Sequence, residues 1–223
     1  DGILPRPVPF SVVYEDDDIL VVDKPADTPI HPSIGNYENT LANGIAWYFE
    51  QKGEPFVYRC INRLDRDTTG LIVLAKHALS AAVLSQAMRS REIHRTYQAF
   101  ALGETAASGT IDAPIARLNG SLIQRTVDFA SGERSVTHYR TLAHCSVFSH
   151  LELNLETGRT HQSRVHHAYI GHPLLGDTLY NKTPGTFPRQ ALHSASLSFV
   201  HPITGEPLNF HAPLPEDMQN LLT

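Results

Sequence analysis

The sequence predicts an α+β fold, in which a few helices flank a mixed, mostly antiparallel β-sheet. Runs of β-branched and apolar residues outnumber segments with helical spacing, and short turns rich in Gly, Asn, Ser or Pro separate many of them. Such short turns can join antiparallel strands, whereas parallel strands need long crossovers. The chain has 223 residues, 41% of them hydrophobic, which is enough for one large core without stabilising disulfides.

The N-terminal segment predicts a hairpin, a loop and a helix, in that order. Apolar runs on either side of four acidic residues within 12–23 are typical of paired strands. Three prolines between 25 and 32 favour an extended loop. Thr40 is a suitable N-cap for a helix that ends at Gly53.

The next elements alternate between strand and helix. A continuous apolar run at 71–75 follows a glycine and predicts a buried strand. Apolar residues at helical spacing predict a helix over 79–88, and strand-like residues return at 93–102. Residues 109–156 read as a series of strands, and leucines at every second position of 151–155 predict a half-buried one.

The last third predicts a helix that starts at Thr160 and ends at Gly171, with Val165 and Tyr169 toward the core. A strand at 192–200, a turn containing proline and a short helix near 215–222 complete the chain. The sequence contains neither an internal repeat nor a linker. We therefore expect a single domain over 1–223, with residues 1–9 as an extended lead-in.

Composition excludes several classes of protein. No apolar run approaches the roughly 20 residues of a membrane span, and the N-terminus lacks a signal-peptide core. Cys60 and Cys145 lie far apart, which excludes a disulfide framework or a zinc finger and favours a reducing, cytoplasmic location.

Net charge is −5, but basic residues concentrate in one block. Residues 59–95 carry seven basic and three acidic groups, whereas 1–58 carry three and ten. Because salt screens distant charges within about 8–10 Å, this block can still create a positive field over a cleft. Most of its cations are arginines, which suit phosphate binding and base stacking, although solvated surface arginines would look the same.

Residues 62–70 form the densest polar constellation. Arg63 and Arg66 flank Asp65, and two threonines and a glycine follow. Such a turn before a strand holds a carboxylate rigidly, and nearby arginines keep it ionised. Asp65 is then suited to act as nucleophile, general base or metal ligand; the alternative is an aspartate that caps the turn and pairs with an arginine.

Residues 157–167 form a second constellation. Arg164 borders the apolar face of the predicted helix, and an inward guanidinium needs a carboxylate, for which Asp65 is the candidate. Three histidines lie in this segment, but their spacing fits no zinc-hydrolase pattern. We therefore expect capping or phosphate-facing histidines and no metal.

Residues 89–99 combine arginines with an aromatic residue. Arg91 and Arg95 either complement a helix dipole or form a phosphate track, and Tyr97 is either a core residue or a stacking face for a base.

Five blocks resemble the RluA-type pseudouridine synthases, in order and at similar spacing. They are residues 12–25, 63–71, 157–166, 171–177, and the tail at 192–193 with 210–215. The resemblance implies a pseudouridine-synthase catalytic domain with a central cleft, which isomerises specific uridines in structured rRNA or tRNA.

The resemblance also implies roles for individual residues. Asp65 is expected to attack the target uridine, with Arg164 as its ion-pair partner. Tyr97 is expected to stack on the uracil and assist proton removal, and Val165 to wall the pocket. Arg63 resembles the arginine that replaces the extruded base in some relatives. The expected RNA-binding residues are Arg63, Arg66, Arg91, Arg95, Arg159 and His161.

The expected partner is RNA, with no cofactor, metal or membrane, and the expected state is a monomer. Many relatives carry a small RNA-binding domain upstream; we expect none within these 223 residues, and the start at Asp1 leaves open whether one was removed. Asn62 and Ser163 replace the histidine and the aliphatic residue common at these positions, and we expect them to alter packing more than activity.

Two other functions remain open from the residues alone. An RNA-binding module would keep the fold without chemistry. A metal-dependent hydrolase would use the histidines between 161 and 172.

Overall fold

The computed structural model describes residues 2–223, which contain eleven strands, four α-helices and one 3-10 helix. In chain order these elements are β1 (Ser11–Glu15), β2 (Ile19–Lys24), α1 (Leu41–Lys52), β3 (Thr69–Ala75), α2 (Ala78–Arg89), β4 (His94–Leu102), β5 (Ser108–Asp112), β6 (Ile115–Arg117), β7 (Arg125–Val127), β8 (Val136–His144), β9 (Phe148–Leu155), α3 (Gln162–Tyr169), β10 (Leu192–Val200), β11 (Pro207–His211), α4 (Glu216–Gln219) and η1 (Asn220–Leu222).

These residues divide into two compact units. The first takes the chain up to Ile93 together with Ser194–Pro213, and the second takes His94–His193 and Leu214–Thr223. That the whole chain is a single domain stays a prediction. Residues 2–10 form no helix or strand, and Asp1 lies outside the described part of the predicted lead-in.

The sheet of the first unit has the strand order β1-β2-β3-β10-β11. β1 and β2 form the expected antiparallel hairpin, β2 pairs antiparallel with β3, and every residue of β3 is buried as its continuous apolar run predicted. The core of this unit contains Ile19, Val21, Leu71, Val73, Leu84, Leu197 and Phe199.

β11 was not predicted, since only a turn containing proline was expected between β10 and the last helix. Residues 207–211 pair antiparallel with β10, and Leu208 and Phe210 pack against the core of the unit. The alternation of these two residues with polar ones is the strand signal that the neighbouring prolines concealed.

The capping residues of α1 act as expected. Thr40 is the N-cap, where it shares a capping box with Asn43, and Gly53 ends the helix in the left-handed region at φ 68°. Along the helix, Trp47 is 37% exposed whereas Phe49 is buried. In α2, Leu84 is buried but Leu79 is 61% exposed, because only one narrow edge of this helix packs on the sheet.

The second unit contains an antiparallel sheet of order β4-β9-β8-β5 and a separate hairpin of β6 with β7. α3 packs against β7 and β8. The helix begins at Gln162 instead of the predicted Thr160. The reason is that His161 adopts a left-handed conformation at φ 58° and occupies the N-cap position, where its side chain forms no cap hydrogen bond. Tyr169, expected in the core, is 53% exposed.

The predicted α+β class and the mixed, mostly antiparallel sheet are confirmed. Within residues 2–223, no helix combines the length and the hydropathy that crossing a bilayer requires.

Candidate active site

Asp65 lies in a tight turn between a buried leucine and β3. Its carbonyl accepts the N–H of Thr68 at 3.0 Å, which closes the turn, and its side chain is half-buried. Leu64 before it is 9% exposed, and Thr68 and Thr69 after it are buried. The turn therefore presents a carboxylate from a backbone that is fixed on both sides.

Asn62 fixes the strand-like segment that leads into this turn. Its Nδ2 donates to the carbonyl of Leu71 at 3.1 Å, and its Oδ1 accepts the N–H of Val73 at 2.8 Å. Ile61 adds a backbone bond to the Val73 carbonyl at 3.0 Å. The asparagine at position 62, which departs from the family pattern, is thus a buried amide. It provides a hydrogen-bond partner for one backbone N–H and one backbone carbonyl of β3.

Lys24 is a fully buried lysine that the sequence reasoning missed. Its Nζ donates to the carbonyl oxygens of Pro25 and Arg66, both at 2.8 Å, so it ties the end of β2 to the Asp65 turn. A buried ammonium is tolerated only where it is well bonded, and this requirement makes the connection rigid.

The conformation and the surroundings of Gly70 explain why a glycine follows the two threonines. It has φ +119°, and a Cβ at this position would lie 2.6 Å from the backbone nitrogen of Ser194 in β10. Only glycine permits both this conformation and this close approach.

The predicted RNA-binding residues of the first unit are exposed. Arg63 and Arg91 are exposed, and among residues 2–223 neither has a carboxylate within ion-pair distance. Arg66 is also exposed but contacts Asp67 at 3.2 Å and Asp27 at 3.7 Å. Asp67 is therefore a local partner for Arg66, whereas the capping alternative had named Asp65 for that role.

In the second unit, three residues of the segment 157–166 hold α3 against β8. Thr157 Oγ1 accepts the N–H of Val136 at 3.0 Å and donates to Gln162 Oε1 at 2.7 Å. Gln162 Nε2 returns a bond to the Val136 carbonyl at 3.0 Å. His166 is fully buried, with Nδ1 2.8 Å from Thr137 Oγ1. These residues build the scaffold that orients the arginine between them.

That arginine, Arg164, points inward as expected, and its side chain is only 9% exposed. It forms a two-point ion pair with Asp177: Nε lies 2.8 Å from Oδ2 and Nη2 lies 3.0 Å from Oδ1. Asp177 is fully buried, and its Oδ1 also accepts the N–H groups of Leu179 and Tyr180 at 3.0 and 3.2 Å. The predicted need for a carboxylate is met here by Asp177, and the pairing of Arg164 with Asp65 stays a prediction.

Tyr180 completes the surroundings of Arg164. Its ring centroid lies 5.2 Å from the guanidinium carbon of Arg164, a cation–π geometry. Its hydroxyl lies 2.6 Å from His161 Nδ1, so the left-handed residue before α3 is held by the same aromatic side chain. His161 was predicted as a site residue, whereas Asp177 and Tyr180 were not, although Asp177 closes one of the blocks that carried the resemblance.

Tyr97 and Val165 are both buried, at 6% and 4% exposure. Tyr97 lies on β4 opposite Leu153 of β9, in the interior of the antiparallel sheet. Val165 follows Arg164 on α3. Their burial agrees with residues that line the wall of a pocket, and also with the core alternative for Tyr97.

Arg95 lies beside the turn that precedes α3. A Cβ on Gly158 would meet the Arg95 Nη2 at 3.0 Å, so the glycine leaves room for this guanidinium. Arg95 Nε is buried and has no hydrogen-bond partner within residues 2–223. The neighbouring Arg159 is exposed and pairs with Glu133 at 2.6 Å.

The histidines between 161 and 172 are engaged by protein groups. His166 Nε2 donates to the carbonyl of Ala113 at 2.8 Å, and His167 Nδ1 and His172 Nδ1 lie 2.7 Å from backbone carbonyls. Burial lowers the pKa of His166, and it lowers that of His167 to about 4. Within the described part of the chain, the one group with metal-ligand geometry is Asp16, Asp18 and His201, which contains none of these histidines.

Comparison with known proteins identifies the family of this chain. A family model described as RNA pseudouridylate synthase matches residues 18–169. The chain is 43% identical to an uncharacterized RNA pseudouridine synthase, YjbO, of Bacillus subtilis, over 100% of this chain and 78% of the relative. It is also 43% identical to ribosomal large subunit pseudouridine synthase D of Vibrio cholerae, over 95% of this chain and 69% of that protein.

Solved structures give the same result. The human RNA pseudouridylate synthase domain containing 1 superposes with a TM-score of 0.77 at 26% identity, over 92% of this chain and 83% of that one. The human domain containing 4 has a TM-score of 0.78 at 22% identity, over 95% and 91%, and supports the fold alone.

The matched blocks, the anchored arginine and the aspartate turn thus occur in a chain that the two named bacterial relatives match over 95% or more of its length. The chain belongs to the RluA-type RNA pseudouridylate synthase family, and it is an isomerase that converts uridine in RNA to pseudouridine.

Proposed function

We propose that Asp65 is the nucleophile of this isomerase and that the target uridine is flipped out of the RNA to reach it. The observation that carries the proposal is the turn itself: a half-buried carboxylate on a backbone held by the Thr68 N–H and by the amide of Asn62. A nucleophile needs a fixed direction of attack, and this turn supplies one.

The reaction breaks the bond between N1 of uracil and the ribose, turns the base, and joins the ribose to ring carbon five. The hydrogen on carbon five leaves as a proton, and N1 gains one, so that the product is an isomer of the substrate. Neither a redox group nor water is consumed, which agrees with the prediction that no cofactor or metal takes part.

The buried Arg164 and Tyr97 are proposed to complete the site. Arg164 carries a permanent charge, held in orientation by Asp177 at 2.8 and 3.0 Å, and would keep the nucleophilic carboxylate ionised. Tyr97 would stack on the flipped uracil and assist removal of the proton from carbon five. Val165 would form part of the pocket wall.

Base flipping costs a few kcal/mol, which contacts to phosphates can offset. The exposed Arg63 and Arg91 are proposed to bind RNA, with Arg66, Arg159 and His161 as further contacts. Arg95, whose buried Nε has no hydrogen-bond partner within residues 2–223, is the strongest candidate for a phosphate ligand.

The proposed substrate is large-subunit ribosomal RNA, because the named relatives from Vibrio cholerae and Escherichia coli carry that substrate in their names. Pseudouridines mapped in ribosomal and transfer RNA from cells with and without the protein would identify it. Loss of a site from large-subunit rRNA is expected, and a loss confined to tRNA would overturn this assignment. A monomer acting in the cytoplasm stays a prediction.

Tritium release from RNA labelled at uridine carbon five tests the nucleophile. Asp65→Asn and Asp65→Ala should abolish release, while Asp67→Asn, in the same turn, should retain most of it. Undiminished release by either Asp65 variant would overturn the assignment. Tight RNA binding without release by the unmodified protein would favour a binding module instead.

A further inference from the structure

The hairpin of β6 and β7 carries an apolar tip that points into solvent. Leu122 is 85% exposed and Ile123 is 62% exposed, at the turn between Ile115–Arg117 and Arg125–Val127. Two adjacent large aliphatic side chains with this exposure leave apolar surface in contact with water. A partner that covers the tip would gain the free energy of burying this surface.

The tip has a defined conformation. The N–H of Leu118 donates to the carbonyl of Gln124 at 3.0 Å, and the N–H of Ser121 donates to the carbonyl of Leu118 at 3.0 Å. Ser121 Oγ accepts the N–H of Gln124 at 2.9 Å. These bonds present the apolar residues in a fixed position, which reduces the entropy lost on binding.

Two arginines face each other at the base of the tip. Arg117 and Arg125 are directly paired across the two strands. Like charges in this position destabilise a hairpin. The Arg125 guanidinium donates to the backbone carbonyl of Ile123 at 2.9 Å, which leaves its charge without compensation from that contact. An anion that binds both would relieve the repulsion, and closely spaced phosphates are such anions.

The hairpin is attached to the segment that holds Arg164. The N–H of Arg125 donates to the hydroxyl of Tyr180 at 2.9 Å, and Gln124 Nε2 donates to the carbonyl of Leu179 at 3.3 Å. The ring of the same tyrosine lies under the Arg164 guanidinium. One side chain therefore positions both the hairpin and the buried arginine.

We propose that the hairpin of β6 and β7 is an RNA-contacting surface with Tyr180 as its point of attachment. Arg117 and Arg125 bind phosphates, and Leu122 with Ile123 packs against unstacked bases, as apolar wedges do in other nucleic-acid complexes. This assignment rests on the proposed function, since it requires that the substrate be RNA.

The first test is the double variant Leu122→Ser, Ile123→Ser in the full chain, with a large-subunit rRNA transcript labelled at uridine carbon five. The expected result is a KM raised about tenfold with kcat nearly unchanged, because the tip contacts bound RNA and not the reacting atoms. Val147→Ser is the matched control: it is 62% exposed on the turn between β8 and β9, and its KM should not change.

The second test is the salt dependence of RNA binding. Arg117→Gln should reduce the slope of log K against log salt by about 0.7, the value for one lost phosphate on a single strand. The control is Arg140→Gln, an exposed arginine that already pairs with Glu152 at 3.2 Å, which should leave the slope unchanged.

Tyr180→Phe tests the attachment. It keeps the ring beside Arg164 but removes the hydroxyl that accepts the Arg125 N–H. A hairpin that loses its anchor should bind RNA less well, so KM should rise by a larger factor than kcat falls.

The outcomes separate this proposal from the proposed function. An active unmodified protein with an unchanged KM in the double variant would overturn the hairpin surface and leave the isomerase intact. Absence of turnover by the unmodified protein would instead count against the function, while RNA binding could still be compared. A tip substitution that changes oligomeric state but not RNA binding would indicate a protein partner and overturn the assignment.

Discussion

The guanidinium of Arg164 and the carboxylate of Asp177 form a two-point ion pair in the interior of the second unit, with distances of 2.8 and 3.0 Å. The two residues lie thirteen positions apart in the chain. The carboxylate also accepts two backbone N–H groups, so its own position is fixed before it orients the arginine. Charged hydrogen bonds with this geometry are among the strongest in proteins.

Asp177→Asn should reduce both stability and turnover. The variant keeps the shape of the side chain but removes the negative charge beside a buried guanidinium, which should lower the free energy of unfolding by about 3 kcal/mol. Urea denaturation measures this change, and kcat should fall because Arg164 loses its orientation. Glu152→Gln, which breaks an exposed pair with Arg140, is the control and should cost less than about 1 kcal/mol. Equal effects of the two variants would contradict the prediction.

Asn62→Ala should weaken the segment that leads to Asp65. It removes the acceptor for the Val73 N–H and the donor to the Leu71 carbonyl, both buried, at an expected cost of about 2 kcal/mol. Displacement of Asp65 should lower kcat more than it raises KM. Asn62→His, which restores one donor and one acceptor, should recover part of the activity. Asn39→Ala, at an exposed amide, is the control, and a similar loss there would show that the effect is not specific.

Acid should destabilise the protein through Asp16. Burial opposes ionisation of this side chain, but bonds from the N–H groups of Asp18 and Ile19, the Tyr14 hydroxyl and His201 lower its pKa from 3.8 to about 2. The folded pKa lies below the unfolded one, so the contribution is complete above about pH 5 and is lost as the pH falls toward 2. It amounts to about 2 kcal/mol.

Comparison of Asp16→Asn with the unmodified protein measures this contribution. The free energies of unfolding should differ by about 2 kcal/mol at pH 6 and converge near pH 2. The exposed neighbouring variant Asp17→Asn should follow the unmodified protein at both pH values. A constant difference across the range would show that ionisation of Asp16 is not its cause.

His167 should resist protonation well below neutral pH. Burial lowers the pKa of its ring from 6.5 to about 4, and its Nδ1 donates to the Ser163 carbonyl. The unfolded chain takes up a proton below about pH 6.5 and the folded chain does not, so stability should decline by about 3 kcal/mol from pH 6.5 to 4. NMR titration should show an invariant ring signal of His167 down to about pH 5. A midpoint of His167 near neutrality would contradict this prediction.

Much of the fold could be predicted because its signals are local. Thr40 and Gly53 mark the ends of α1, and the apolar run at 71–75 gives a fully buried strand. Those patterns depend on the period of side chains and on backbone preferences, which neighbouring residues determine. The strand at 207–211 was missed because its signal is short and lies between turn-forming residues.

By itself the sequence determined the fold class and the family, since motif spacing and side-chain type are written in the chain; which residues carry the chemistry stays a prediction. Only the tertiary structure decided that Asp177 holds Arg164 and that Tyr180 joins this pair to the β6–β7 hairpin. It also decided that the Asn62 amide bonds to two backbone groups of β3. The reason is physical. A buried charge or amide requires a partner, and many distant residues satisfy that requirement equally well until packing brings one of them within about 3 Å.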